Sequence, residues 1–220
     1  MNLPFTSEQF LRVFQVYNES VWPMQVVLFL LGLFAISFAL KRRPNSNRII
    51  SAILAFFWLW MGVVYHLINF STINNAAYVF GILFILQGLL FLYAGVFTPS
   101  LSFEYRPDGY GVAGALLLLY AMMVYPVLGH SLGHLYPQSP TFGLPCPTTI
   151  FTFGILLWAD KKFSFVILVI PLIWSIIGFS AVISLGISED SGLIVAGLLG
   201  TWLVYRRNKF GLQQLTGQGG

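Results

Sequence analysis

Seven apolar stretches take up most of this 220-residue chain and leave room for little besides a helical membrane bundle. They run roughly Trp22–Leu40, Ile49–Phe70, Ala76–Phe97, Gly111–Gly129, Phe142–Ala159, Phe163–Leu185 and Ser191–Tyr205. Most approach the ~20 residues that a helix needs to cross ~30 Å of hydrocarbon. The last, about 15 residues long, crosses only if its polar flanks stretch or the bilayer thins. Only 8% of the residues are charged, against about a quarter in a soluble domain. The expected fold is all-α, a polytopic membrane protein with seven transmembrane helices.

Charge fixes the orientation. Lys41, Arg42, Arg43 and Arg48 lie between stretches one and two, and Arg106 between three and four. Lys161 and Lys162 lie between five and six, and Arg206, Arg207 and Lys209 after seven. These alternating connections hold ten of the eleven basic residues, with Arg12 the exception. The positive-inside rule then places the N-terminus outside and the C-terminus in the cytoplasm. The net charge of +4 reflects these membrane anchors and gives no reason to invoke nucleic acid.

The chain divides into an interfacial helix at residues 1–20, a seven-helix domain at 21–208 and a flexible cytoplasmic tail at 209–220. In the first segment Thr6 and Gln9 make a capping box, with Phe5 and Phe10 as its hydrophobic staple. Phe10, Phe14 and Tyr17 share one face, which suits a helix lying in the outer headgroup layer. The outer connection from Gly129 to Thr149 carries Pro137, Pro140, Pro145 and Pro147 and breaks the fifth helix. If Asp160 marks the inner boundary, a helix back to Cys146 rises only ~20 Å. Non-helical backbone at that depth survives only against protein or a water-filled cavity, so the pocket is expected here. Gly62, Gly81, Gly88 and Gly114 read as packing notches between helices.

The strongest metal-ligand side chains are few: His66, His130, His134 and the single Cys146. All map to the outer end of the bundle. On a continuing fourth helix, His130 and His134 are one turn apart on one face, with Gly129 and Gly133 removing bulk beside them. His66 comes ~25 Å up the second span and reaches the same layer. Three imidazoles with water or substrate as fourth ligand make an open zinc site, and Cys146 as fourth ligand makes a closed one. The same donors suit copper, and a bis-histidine haem on His66 and one of the later pair is a further option. Glu19, just before the first span, is the candidate general base. Glu189 and Asp190 follow Ser188 where acids favour a helix N-terminus and read as structural. No membrane-embedded acid is expected to form a proton relay.

Metal-bound hydroxide attacking an amide or ester of a lipid-like substrate is the leading activity on this reading. The alternatives are a transporter or permease for a metal ion or small solute, its broken helix exposing carbonyls to cargo, and an accessory subunit. The accessory subunit would dock a larger complex through Phe56, Phe57 and Trp60. The implied partners are the lipid bilayer and a lipid-like or small-molecule ligand; protein partners are not specified.

The segments LPFTSEQFLRVFQVYNESVWPMQ, WLWMGVVYH and YPQSPTFGLPCPTTIFTFG resemble a bacterial membrane family of unknown function, DUF6064, over nearly the whole chain. That resemblance implies a multi-pass protein of the bacterial inner (cytoplasmic) membrane and carries no activity with it. A second similarity is to the seven-helix zinc hydrolases that include alkaline ceramidases and the adiponectin-receptor group. It implies His66, His130 and His134 as zinc ligands. The chain departs from that group in three ways. Its histidine pair follows the fourth span instead of lying on the seventh, Gly62 stands where the group has serine, and the third span lacks the matching aspartate.

Overall fold

The computed structural model describes residues 4–210, and it is helical almost throughout. The elements in chain order are α1 (Ser7–Ser20), α2 (Met24–Lys41), α3 (Ser46–Thr72), α4 (Ala77–Phe97), α5 (Gly109–Ser131), α6 (Pro145–Leu157), α7 (Val166–Leu185) and α8 (Ser191–Phe210). Five of these, α2 to α5 and α7, are long and apolar enough to cross a membrane. The chain is a multi-pass membrane protein with transmembrane helices. Rows of exposed Leu, Ile, Val and Phe along α2, α4, α5 and α7 would be a liability in water and are the expected lipid face in a bilayer.

Burial separates the inner helices from the outer ones. The best apolar window of α3 is 61% buried, against 28–39% for the other four long helices. Twelve of the thirteen residues of α6 are buried, Cys146 being the exception. Thus α6 is the central post of the bundle. At 1.5 Å per residue it spans only ~20 Å, and protein closes both of its ends. At the basic end, Glu104 N–H donates to Trp158 O (2.8 Å) and Asp160 N–H to Ser102 O (3.0 Å). Arg207 Nη1 donates to Leu157 O (3.1 Å), satisfying a carbonyl that the helix terminus leaves orphaned. Arg42 ties this end together, at 2.7 Å from Glu104 and 3.4 Å from Asp160.

At the opposite end, residues 132–144 are non-helical, because the prolines remove backbone donors and fix φ. Asn18 of α1 holds this strap. Its Nδ2 donates to Pro137 O (2.7 Å) and Ser139 O (2.8 Å), and its Oδ1 accepts from Thr141 Oγ1 (2.8 Å). The Thr6–Gln9 capping box is formed, and the Phe5 and Phe10 rings stack at 5.7 Å. The face bearing Phe10, Val13, Phe14, Tyr17 and Asn18 is buried against the bundle.

Glycines set the closest helix approaches. A Cβ on Gly62 of α3 would lie 3.0 Å from Gly81 O of α4, and one on Gly81 would lie 3.1 Å from Gly62 O. Gly114 of α5 and Gly154 of α6 form a second reciprocal pair, at 2.8 and 3.0 Å. Small residues let helix backbones meet in this way without a hydrophobic driving force.

One expectation needs correcting. The helix that carries the seventh apolar run takes in its polar flank, continuing through Arg206, Arg207 and Lys209 to Phe210, where cations favour a helix C-terminus. Residues 209 and 210 therefore belong to α8, and the remainder of the expected tail lies outside the described residues.

Candidate functional site

A cavity of about 320 Å³ opens at the histidine end of the bundle, within the size range of small-molecule sites. Helical periodicity puts Phe10 and Phe14 of α1 on one wall. Tyr65 and Phe70 of α3, Phe80 of α4 and Trp174 of α7 supply the others. The rings pack against one another in two groups. Phe10 meets Phe14 at 4.7 Å, Phe14 stacks on Tyr65 at 6.2 Å, Tyr65 stacks on Phe70 at 5.7 Å, and Phe80 meets Trp174 edge-on at 5.4 Å. Tyr65 sits in a π-helical stretch, Met61–Asn69, and a second one, Tyr120–Val124, immediately precedes Tyr125. Such stretches shift the helical register and are frequent at functional sites.

The floor is polar and comes from the turn between α7 and α8. Gly186 ends α7 in the left-handed region (φ 75°), and the 3₁₀ turn Ser188–Asp190 folds inward. Glu189 is 0% and Asp190 2% exposed. Tyr125 donates its hydroxyl to Asp190 Oδ1 at 2.5 Å, and the half-buried Cys146 stands beside the same carboxylate. Tyr120 donates to Glu189 O at 2.8 Å, and His134 Nδ1 lies 2.8 Å from Glu189 Oε1. Burial pushes the Asp190 carboxyl up to about 7; Tyr125 and Cys146 pull it the other way, and the neighbouring Glu189 adds to the rise. Burial thus favours the protonated carboxyl, and its hydrogen-bond donors favour the ionised one.

The side chains singled out in the sequence are dispersed around this cavity. His66 is fully buried behind the wall, ringed by Tyr65, Phe70, Phe80, Phe84 and Trp174. Neither of its ring nitrogens has a hydrogen-bond partner among the described residues. His130 is exposed in the last turn of α5. His134 does not share its helical face, because the helix ends at Ser131 and Gly133 turns the chain at φ 93°. His134 N–H instead bonds back to Gly129 O at 2.9 Å, which brings its ring to Glu189. Gly129 makes room for that carboxylate, a Cβ there lying 3.0 Å from Glu189 Oε1. Glu19 is exposed on α1 and accepts from Gln15 Nε2 at 3.0 Å. Only Cys146 of the set lines the cavity. Among the described residues, no three His, Cys, Asp or Glu side chains are grouped so as to hold a metal ion.

The reading of Glu189 and Asp190 as helix-terminal acids misses their burial, and with it the acid pair that was not expected inside the bundle. Both precede α8, as the dipole argument requires, but Gly186 directs them inward. The Gly186–Asp190 sequence could have signalled this, since a left-handed glycine just after a long apolar helix reverses the chain. Tyr125 carried no sequence signal beyond its place in the histidine-bearing half of its span.

A family model described as a family of unknown function, DUF6064, matches residues 7–213. No curated protein and no solved structure matches the chain, so the similarity to seven-helix zinc hydrolases gains no support.

Proposed function

The chain belongs to the DUF6064 family, and we propose that it binds a small amphiphilic molecule in the aromatic cavity at the outer end of the bundle. In this reading it crosses the inner membrane seven times, α6 and α8 being the two spans beyond the five long ones. The N-terminus and the cavity face outward and the basic end faces the cytoplasm. The carrying observation is one ionisable carboxylate, Asp190, among the described residues of a mainly aromatic and aliphatic cavity whose other polar side chains include Asn74, Ser180 and Cys146. Apolar walls with a few convergent polar groups and a displaced pKa mark a binding site. A site of this kind, lined by Pro145, Cys146 and Pro147 at the start of a proline-interrupted helix, fits the solute-binding stage of a permease.

The test is a thermal-shift screen of benzyl and alkyl compounds, charged and neutral, on the wild type and on Ser180→Trp, which fills the cavity from α7. At least one compound should raise the wild-type melting temperature in a saturable way and leave Ser180→Trp unmoved. Equal responses in both proteins, or none in either, reject the reading.

A further inference from the structure

We infer that the molecule taken up by this cavity is an organic cation, an ammonium or quaternary ammonium group on an apolar body, held between the aromatic faces and Asp190. The inference rests on the cavity being a ligand site and names the chemistry of its occupant.

Three features select a cation. The first is the walls: they carry the aromatic rings of Phe10, Phe14, Tyr65, Phe70, Phe80 and Trp174, and aromatic rings are the recurrent means of holding ammonium groups. The second is that Asp190 is the only charged residue among the described residues of the lining. The third is that no Lys or Arg among the described residues is ion-paired with Asp190. Its carboxylate takes the Tyr125 hydroxyl and the Cys146 thiol, and its remaining lone pairs accept about two further bonds.

Other occupants fit less well. An acyl chain alone would have no use for a buried acid, whose ionised form is costly without a counter-charge. An anion would meet Asp190 with no cation among the described lining residues to offset it. A bare metal ion would need donors that the aromatic walls do not supply.

Charge on Asp190 sets the strength of the site. The groups facing it are Tyr125 of α5, Cys146 of α6, Tyr65 of α3 and its neighbour Glu189, which is itself paired with His134; Tyr120 faces the same turn. Of these, Tyr125 and Cys146 favour the ionised carboxylate and Glu189 opposes it. A cation entering the cavity adds the missing counter-charge, so binding and ionisation of Asp190 reinforce each other. Affinity therefore rises with pH through neutrality.

The experiment is calorimetric titration of the full chain in nanodiscs of zwitterionic lipid. The probes are benzyltrimethylammonium and neopentylbenzene, its uncharged carbon isostere. Benzyltrimethylammonium keeps its charge at every pH, so its pH profile reports the protein alone. At pH 8.5 the cation should bind about tenfold or more tighter than the isostere. At pH 5.5 its affinity should fall by about tenfold or more while that of the isostere stays flat. In Asp190→Asn the two probes should bind alike at both pH values. The wild-type pH comparison stands without the variant, should that fail to fold. Equal affinity of cation and isostere at both pH values overturns the cation assignment and leaves the cavity reading intact. Failure of both probes to bind overturns both.

Discussion

Replacing Asn18 should loosen the proline-rich strap and with it the rim of the cavity. The Asn18 side chain is fully buried and fully used. Nδ2 donates to Pro137 O and Ser139 O, and Oδ1 accepts from Thr141 Oγ1 and, at 3.3 Å, from Gln25 Nε2. Asn18→Ala deletes three bonds shorter than 3 Å and strands two strap carbonyls and a hydroxyl. At a net ~1 kcal/mol per bond, and more for each buried group left unpaired, the loss is about 2–4 kcal/mol. Asn18→Asp is the sharper probe. It keeps the acceptor for Thr141 but turns an oxygen towards two carbonyls, so at pH 8 it should cost at least as much as alanine. Unfolding titrations in mixed micelles give the stability. Hydrogen exchange at residues 135–144 gives the location, with protection lost there first and α3 and α6 unchanged. A change within ~0.5 kcal/mol for Asn18→Ala, with strap exchange unaltered, would refute the reasoning, since that is the range of a neutral surface substitution.

Two further outcomes follow from the same geometry. The Asp190 carboxyl holds its proton more tightly in the fold (pKa about 7) than its ordinary value of 3.8 allows. Its contribution to stability is therefore complete below pH ~4 and is lost as pH rises to ~7, by at most about 4 kcal/mol. Asp190→Asn should flatten that slope in melting curves taken from pH 4 to 8.5 and be the more stable protein at the alkaline end; a slope identical to wild type contradicts this. Gly62→Ala places a Cβ 2.9 Å from Ile85 Cγ1 and 3.0 Å from Gly81 O, and should cost about 1–3 kcal/mol by overpacking. Gly109→Ala, which meets nothing within 4 Å, should be neutral or slightly stabilising in the same denaturation assay.

Much of the fold is legible in composition and spacing because each feature depends on residues near one another in sequence. The long spans, the capped α1 and the glycine contacts of α3 with α4 are of this kind. The strap could also be read, since its prolines cannot continue a helix, and Pro140, Leu144, Pro145, Cys146 and Pro147 do line the cavity. The site itself is non-local. Asp190 acquires its character from Tyr125, 65 residues away, and Asn18 from a strap more than a hundred residues on. The histidines illustrate the limit of spacing arguments. An i, i+4 pair shares a face only while the helix continues, and here it ends at Ser131, between His130 and His134. The register shift in the Met61–Asn69 π-helical stretch likewise lies beyond a count at 3.6 residues per turn, and His66 ends in an aromatic box instead of beside the other two.

The central claim is that the cavity beside Cys146 is a ligand site reached from the outer face. Cys146 is the only cysteine in the chain and it lines that cavity, so its modification rate reports access without any engineered label. The decisive measurement applies membrane-impermeant methanethiosulfonates, one cationic and one anionic, to intact spheroplasts, with each rate normalised to its reaction with a free thiol. Cys146 should react from outside, faster with the cationic reagent, and benzyltrimethylammonium or Ser180→Trp should slow the reaction. Modification only from the cytoplasmic side, or a rate indifferent to both the occupant and the cavity-filling variant, would contradict the account.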